Sequence, residues 1–479
     1  MARAHLPPLR LVRALVALVA CCGTAGCKHF ECTAHGGHEV RSFTTEHFVV
    51  TSDLPRDEHR AEAERLELLW DTLAAFFQAD VPEASLPVVV LRDTSDVASF
   101  APGYSGFVTR SDPEALVVSA PAEAGQNNVN AHELTHLVSA YLLPRQPRWV
   151  AEGLAAWFED ATFKDARTVR MGRWNPGRAE EAFLIGVASL EELNAWGGLT
   201  FDDSEANLYA SAWAWVHYLA NHDEARLARL FTALKGPAPL AQVMRDVFPP
   251  ADAARLREEV QAYMKEARFR GFETSLRRTP TVKDERLLEP WEVHRLRSRL
   301  WLADEAAERA DLGLVVALAP SPRPPAVEVV AAHLEHRALG PLVAAHPHSP
   351  DVLVAAHAEG VKLEPAVLAK AVEQHPTDAR LLLAAAEVAL QDGRAEDAEA
   401  FASRGFALAP WSLRLAALRT WSAAATGRCD EATRRLGLAQ GLLPERASQK
   451  AKDGLRELVG LLKQCQEASG GATSAGSPP

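Results

Sequence analysis

Short runs of β-branched residues alternate with longer amphipathic segments over residues 44–160. The runs "HFVVTS", "LPVVVLR", "GFVTR" and "ALVVSA" are typical of strands, and a helix with one apolar face is predicted between the first two. That face carries Leu66, Leu69, Leu73 and Phe76. Beyond Asp160 the strand pattern stops, and helical periods such as "LYASAWAWVHYLANH" take over. We therefore expect an α+β domain over residues 44–278, with a small mixed sheet and several helices.

The C-terminal part has a different character, and proline-rich segments mark the change between residues 275 and 285. Several residues recur there at a period of 34, namely Pro376, Pro410 and Pro444, and the pair Gly393-Arg394 with Gly427-Arg428. A period of this length with a central glycine turn resembles tetratricopeptide repeats, which are stacked pairs of helices. We expect an all-α helical-repeat domain over residues 285–465, with the clear repeats at 376–443, and a disordered tail at 466–479.

Charge and the N-terminal segment restrict the partners and the location. The formal net charge is −12. A negative surface repels the phosphates of nucleic acid, which argues against nucleic acid as a partner. Residues 1–26 combine arginines, a short apolar run and small residues before a cysteine, which resembles a bacterial lipoprotein signal peptide. We expect lipidation at Cys21 or Cys27, a tether over residues 27–43, and an exported protein held at the cell-envelope membrane by the lipid alone. A signal peptide removed without lipidation is the alternative.

The remaining cysteines suggest two further features. Cys429 and Cys465 lie on predicted neighbouring helices, so an exported chain can join them in a disulfide, although two free buried thiols are equally compatible with the sequence. The segment "CKHFECTAHGGH" contains cysteines and histidines at a loosely zinc-like spacing. Because this segment directly follows the signal peptide, we interpret it as part of the tether.

The segment "NVNAHELTHLVSAYLLP" is the strongest chemical motif in the chain. An asparagine at position 127, 128 or 130 can cap a helix that ends before Pro144. His132 and His136 are four residues apart, so both imidazoles lie on one face and can reach one zinc ion. Glu133 lies about 100° further round the helix, where it can serve as general base for a zinc-activated water. The alternative is a pair of partly buried histidines without a metal.

The next helix, in "PRWVAEGLAAWFED", follows a short loop and must return antiparallel to the first. This brings a carboxylate within reach of the metal, and spacing alone allows either Glu152 or Glu159. The segments "HELTH" and "WVAEGLA" resemble the gluzincin metallopeptidases, the peptidase MA-like group related to thermolysin and the zinc aminopeptidases. This resemblance implies a zincin-like fold with Glu152 as the third zinc ligand. Gly153 is expected to let the second helix approach the first closely.

The same resemblance implies a hydrogen-bond donor for the tetrahedral oxyanion. Tyr209 matches the tyrosine of the zinc aminopeptidases in layout, with His217 as the alternative donor and a purely structural aromatic role as the other interpretation. The chain lacks the Gly-x-Met-Glu-Asn segment of those enzymes, which favours an endopeptidase over an exopeptidase. Ala156 stands where thermolysin-like enzymes have an Asp that orients a ligand histidine. Glu159, Asp160 or an acid of "FDDSE" can replace it.

The strand "EALVVSAP" directly precedes the metal-binding helix, and in zincins such a strand lies along the cleft, where its edge can pair with an extended peptide. The sequence thus predicts a secreted, lipid-anchored zinc endopeptidase that hydrolyses peptide or protein substrates, with repeats that bind the substrate or a protein partner. The second hypothesis is a non-catalytic cell-envelope scaffold, in which the repeats assemble other proteins.

Overall fold

The computed structural model describes residues 30–78, 86–121, 128–165, 167–196, 203–236, 238–266, 269, 271–276, 280–443 and 449–471. The protein is mixed α and β, with a sheet in the N-terminal part and an all-helical C-terminal region. The predicted signal peptide at residues 1–26 and both candidate lipidation sites, Cys21 and Cys27, lie outside the described residues. Among the described helices, none is both long and apolar enough to cross a membrane.

The main sheet has six strands in the order β4-β5-β3-β2-β1-β9. Its strands are β1 (Arg41–Thr44), β2 (Phe48–Ser52), β3 (Leu86–Val90), β4 (Phe107–Ser111), β5 (Glu114–Ser119) and β9 (Asp284–Leu287). The three central strands β2, β3 and β5 run parallel, and β4, β1 and β9 pair antiparallel with their neighbours. A smaller sheet has the order β6-β7-β8, from β6 (Thr162–Phe163), β7 (Thr168–Met171) and β8 (Phe272–Ser275). The four strands predicted from β-branched runs are confirmed.

Two expectations about the strands and the domain boundary are wrong. Strands continue after Asp160, since β6 to β9 all follow it. The sheet also extends past residue 278, because β9 pairs with β1 in a register that places Phe43 opposite Glu285. The domain predicted at 44–278 therefore includes residues 41–43 and 284–287. Strand β9 is a short polar edge strand with one face exposed, so it carries no hydrophobic alternation that the sequence could reveal.

The segment predicted as a tether over residues 27–43 is folded wherever it is described. Phe30, Cys32 and Val40 are almost completely buried, and they pack in the same apolar cluster as Phe100. Burial of these side chains removes apolar surface from water, which favours an ordered segment over a free linker. The expectation of a tether is therefore wrong for residues 30–43.

In the described part of the chain, ten helices accompany the two sheets. They are α1 (Arg56–Phe77), α2 (Thr94–Phe100), α3 (Val129–Leu142), α4 (Arg148–Phe158), α5 (Pro176–Ile185), α6 (Leu190–Asn194), α7 (Asp203–His222), α8 (Glu224–Lys235), α9 (Leu240–Val247) and α10 (Pro250–Glu266). The predicted apolar face of α1 is confirmed, because Leu66, Leu69 and Leu73 are buried. Helices α3, α4 and α7 share one large core with the inner face of the sheet. This core is what holds the chemistry-bearing helices rigidly in place.

The C-terminal helices are α11 (Pro290–Ser298), α12 (Glu305–Leu318), α13 (Pro325–Leu334), α14 (Gly340–Ala345), α15 (Pro350–Ala358), α16 (Pro365–Gln374), α17 (Ala379–Gln391), α18 (Ala395–Leu408), α19 (Leu413–Ala425), α20 (Cys429–Leu442) and α21 (Gln449–Gly471). Helices α19 and α20 begin and end 34 residues after α17 and α18, as the period predicts. Gly393 and Gly427 close the turns with φ of 75° and 73°, a left-handed conformation that favours glycine. The last helix runs to Gly471, so the tail predicted from residue 466 is helical for its first six residues.

The repeats are joined to the N-terminal part at the β4–β5 hairpin and at α3. The Trp411 indole N–H donates to the carbonyl oxygen of Pro113 at 3.0 Å, and the Arg414 backbone N–H donates to Asp112 Oδ2 at 3.0 Å. On α3, the Tyr141 hydroxyl donates to the carbonyl oxygen of Ala407 at 2.7 Å. The clear repeats therefore lie beside edge strand β4 and the helix that carries the histidine pair.

The Cys429–Cys465 disulfide is confirmed. It joins α20 to α21, with the two Cα atoms 5.7 Å apart and the two cysteines 36 positions apart in sequence. Replacing both cysteines by alanine is expected to destabilise the last repeat by about 4 kcal/mol, because the cross-link restricts the unfolded chain. Urea unfolding followed by helical circular dichroism checks this, and the wild-type protein in reducing agent is the control. Equal midpoints with and without the cross-link would show that the disulfide contributes nothing to stability.

Candidate metal centre

Helix α3 begins with a well-defined first turn that carries His132, and His136 lies one turn further on. Asn128 is the N-cap, and its side chain accepts a hydrogen bond from the backbone N–H of Ala131 at 3.0 Å. Of the three asparagines considered as caps, position 128 therefore has this role. The helix ends at Leu142, as expected from Pro144.

Helix α4 returns antiparallel to α3 after a five-residue loop, over residues 143–147. The buried Arg145 anchors this loop, since its guanidinium donates to the carbonyl oxygens of Gly236 and Ala238. The two far ends are also joined, because the Asn128 backbone N–H donates to the carbonyl oxygen of Glu159 at 3.1 Å. The position of α4 along the axis of α3 is thus determined by contacts at both ends of the helix pair.

Three side chains converge between these helices. His132 Nε2 lies 3.1 Å from His136 Nε2, and Glu152 Oε2 lies 3.3 Å from His136 Nε2 and 3.6 Å from His132 Nε2. The three donor atoms form a nearly equilateral triangle, an arrangement that can hold one metal ion. All three side chains are partly buried, and each retains some exposure to solvent.

Glu159 contacts the other side of His132 and does not join the triangle. His132 Nδ1–H donates to Glu159 Oε1 at 2.8 Å, which leaves the Nε2 lone pair facing the other donors. Glu159 also accepts hydrogen bonds from Asn175 Nδ2 at 3.0 Å and Arg178 Nη2 at 3.2 Å. It is therefore a positioning residue for His132. This is the role of the Asp that thermolysin-like enzymes have at the position of Ala156. Asp160, the second candidate, instead accepts from the backbone N–H groups of Gly172 and Arg173. The side chains of "FDDSE" lie outside what the structure describes.

The electrostatics of the site favour bound positive charge. Burial lowers the pKa of His132, but hydrogen bonds to Glu152 and Glu159 outweigh it and raise the pKa to about 10. Burial alone would raise the pKa of Glu152, yet the two histidines hold it well below its usual range. The pKa of Glu133, in contrast, is raised by burial and by the neighbouring Glu152 and Glu159, against the opposing influence of the histidines.

Glu133 is buried beside the triangle, and its side chain packs against Gly106. A Cβ added to Gly106, just before β4, would lie 2.8 Å from Glu133 Cγ and 2.7 Å from Val129 Cγ1. Glycine at this position therefore allows β4 and α3 to approach closely and lets Glu133 adopt its place. The sequence analysis missed Gly106, because its only signal is an isolated glycine before a strand.

Gly106→Ala is expected to displace Glu133 without removing a metal ligand. A shift of this kind costs up to about 100-fold in a reaction that depends on the position of the side chain. Any hydrolysis in which Glu133 is the base should therefore slow down, while metal content stays unchanged. Gly313→Ala is the matched control, since nothing lies within 4 Å of the added Cβ on α12. Full turnover in Gly106→Ala would show that the close contact does not position Glu133.

Tyr209 is connected to the triangle through an arginine. Arg148 Nη2 donates to the Tyr209 hydroxyl at 3.3 Å, and Arg148 Nε lies 4.0 Å from Glu152 Oε1. The guanidinium also stacks on Trp196, with Cζ 4.2 Å from the ring centroid. Tyr209 thus lies near the triangle and is linked to Glu152 through Arg148. Arg148 was not foreseen, although its position four residues before Glu152 on one helix face is a usable signal.

His217, the alternative to Tyr209, is a buried structural residue. Its Nδ1 is 2.7 Å from the Tyr263 hydroxyl, and its Nε2 is 3.3 Å from the carbonyl oxygen of Arg173. Burial lowers its pKa to about 4, so it stays neutral near physiological pH. Both ring nitrogens are occupied within the core, which leaves none to donate to a substrate.

Two other expectations are corrected by the packing. A Cβ at Gly153 would lie 2.5 Å from the carbonyl oxygen of Ala212 and 2.6 Å from Val216 Cγ2, so this glycine brings α4 close to α7, and not to α3. Strand β5 does not offer a free edge, because β3 and β4 pair with its two sides. Among the described strands, the sheet edge next to α3 is β4.

Comparison with known proteins places one family match over this site. The model of a family described as "Protein of unknown function (DUF1570)" matches residues 131–241. All five predicted site residues lie within the match. They are His132, Glu133, His136, Glu152 and Tyr209. The chain is similar to that family from the first turn of α3 into α9, whereas the N-terminal segment and the repeats lie outside the match. No curated protein matches the chain.

Proposed function

We propose that this protein is a zinc-dependent endopeptidase of gluzincin type, exported and anchored to the bacterial cell envelope by a lipid. The observation that carries the proposal is the donor triangle of His132, His136 and Glu152, with edges of 3.1 to 3.6 Å. Nitrogen and oxygen ligands of tetrahedral zinc stand about 3.3 to 3.6 Å apart, given metal–ligand distances of about 2.0 to 2.2 Å. The triangle fits zinc and leaves the fourth position open, as catalytic sites require.

When bound, zinc supplies Lewis acidity that polarises a peptide carbonyl and lets a water molecule lose its proton near neutral pH. Glu133, which does not belong to the triangle, would take that proton and pass it to the leaving amine. Glu159 would hold His132 in the tautomer that presents Nε2 to the ion. Tyr209 and Arg148, on the side of Glu152, would donate hydrogen bonds to the oxyanion.

The edge of β4 gives the substrate a place to bind. An extended peptide that pairs with β4 gains main-chain hydrogen bonds, which are independent of its sequence. Gly106 lies at the start of this strand and within contact distance of Glu133, so such a peptide would pass the proposed base. The hairpin at the other end of β4 contacts the repeats through Asp112 and Pro113. A protein substrate held by the repeats would therefore be presented to the same edge.

The experiment that tests this function is cleavage of an unstructured protein and a mixed peptide library by the purified full chain, read by mass spectrometry. Internal cleavage that stops with a chelator and returns with zinc supports an endopeptidase. Release of single terminal residues would instead indicate an exopeptidase. No cleavage by a zinc-loaded protein would leave the scaffold hypothesis, and proteins recovered with the chain from membranes should then be unaffected by changing His132 and His136.

A further inference from the structure

A second group of metal-binding side chains lies where the N-terminal segment meets α11. Cys32 Sγ is 3.3 Å from His294 Nε2 and 3.7 Å from His35 Nδ1, and the two imidazole nitrogens are 3.2 Å apart. Glu31 Oε1 completes the group at 3.4 Å from His294 Nε2 and 3.9 Å from His35 Nδ1. One sulfur, two nitrogens and one oxygen thus surround a common centre.

The local backbone is shaped to present these side chains together. Residues Thr33–His35 form a 3-10 turn, and the carbonyl oxygen of Cys32 accepts from the backbone N–H groups of His35 at 3.0 Å and Gly37 at 2.9 Å. Side chains three residues apart eclipse each other in such a turn, which brings Cys32 and His35 to the same side. A Cβ at Gly37 would overlap the carbonyl oxygen of Glu31, so glycine is needed for the turn to fold back on Glu31.

His294 is held in the tautomer that a metal requires. Its Nδ1 lies 2.6 Å from Asp311 Oδ1, and because a carboxylate only accepts, Nδ1 carries the proton. The Nε2 lone pair of the neutral ring then points at Cys32 and His35. Asp311 is itself fixed by Arg297 at 2.9 Å and by the Trp301 indole N–H at 2.6 Å. A carboxylate behind a histidine in this way is the usual support of a metal-ligating imidazole.

We propose that Glu31, Cys32, His35 and His294 hold a second, structural zinc ion. Ligands of a tetrahedral zinc with one sulfur stand about 3.3 to 3.7 Å apart, and four of the five donor–donor distances above lie between 3.2 and 3.7 Å. Thiolate with imidazole favours zinc over magnesium or calcium, which prefer oxygen ligands. All four positions are filled by protein, so this site has no room for substrate and its role is structural.

The position of this site indicates what it stabilises. Three of its ligands lie in the segment just after Cys27, and the fourth lies on the first helix of the C-terminal region. Cys32 and His294 are buried, and Phe30 beside them packs on Phe100. The ion would therefore fasten the start of the folded chain to the junction of sheet and helices. A lipid at Cys27 would then hold the domain at a short, defined distance from the membrane.

Cobalt substitution tests the site independently of peptidase activity. Of the two sites, each built from described residues, only this one includes a cysteine. The full chain, purified in detergent, depleted of metal and loaded with Co²⁺, should therefore show a sulfur-to-cobalt charge-transfer absorption in the near ultraviolet. Cys32→Ser should abolish this absorption, and His35→Ala should weaken it, whereas the matched variant His38→Ala, in the same segment but exposed, should leave it intact. His132→Ala should leave it intact as well.

Zinc content gives the second readout. The wild-type chain should hold about two zinc ions, and His132→Ala and Cys32→Ser should each lose about one. If His132→Ala has no effect but Cys32→Ser loses its zinc, the peptidase proposal fails and this one stands. A folded wild-type protein without the charge-transfer absorption, or zinc content unchanged in Cys32→Ser, would overturn the second site whatever the outcome at His132.

Discussion

Glu133→Gln is expected to abolish peptide cleavage while the protein keeps its zinc. The glutamine has nearly the same shape and fits the pocket beside Gly106, but its amide cannot take a proton from water. Loss of general-base catalysis lowers turnover by about 10² to 10⁴-fold. Zinc should stay bound, because the donor triangle consists of His132, His136 and Glu152 alone. Turnover on the best library peptide and zinc content of the same sample are the two measurements.

The matched control for this change is Glu191→Gln, an exposed glutamate on α6. It alters the charge by the same amount and should leave both turnover and zinc content as in the wild type. If Glu133→Gln cleaves at the wild-type rate, Glu133 has no part in the chemistry. If it loses zinc, Glu133 supports the ligands, and its effect on turnover no longer identifies a base.

The features that the sequence predicted well are those determined over a few residues. The pair His132 and His136 needs only the turn of one helix to bring both rings together, and the structure places their Nε2 atoms 3.1 Å apart. The repeat helices are similar, since their period is visible as identical residues at a fixed spacing. In both cases, local geometry is enough, because the side chains concerned are neighbours on the same element or in adjacent elements.

The features that the sequence did not reveal depend on contacts between distant segments. In the sequence, Cys32 and His35 belong to a segment that we interpreted as a tether. Their metal-site character depends on His294, which is 259 positions from His35 in sequence. Strand β9 is recognisable only by its pairing with β1. Glu152 lies on α4, and Glu159, seven residues later, is the C-cap of the same helix. Which of the two reaches the metal therefore depends on the position of α4 along the axis of α3. The position of α4 along α3 is determined by the contacts of Arg145 in the loop and by the backbone hydrogen bond between Asn128 and Glu159. Neither contact has a recognisable sequence pattern.

The roles of these two glutamates lead to the second prediction with a large effect. Glu152→Ala is expected to release zinc from the site and to abolish cleavage, because Glu152 supplies one of three donor atoms. Glu159→Gln should keep the zinc but bind it about 10 to 100-fold more weakly, the usual cost of losing a carboxylate behind a ligand histidine. In Glu159→Gln, the amide can no longer attract Arg178 or the His132 N–H as a charged acceptor does.

Competition with a coloured chelator gives the zinc dissociation constants of both variants. The measurement belongs in a Cys32→Ser background, so that only the triangle between α3 and α4 contributes. The size of the change in zinc affinity distinguishes the two residues. Loss of a ligand releases the ion, whereas loss of a positioning residue only weakens its binding. Should Glu159→Gln release the ion while Glu152→Ala retains it, the third ligand is Glu159, and α4 must then slide relative to α3 when metal binds. Equal, modest weakening in both variants would mean that the histidines alone hold the ion and that neither carboxylate ligates it.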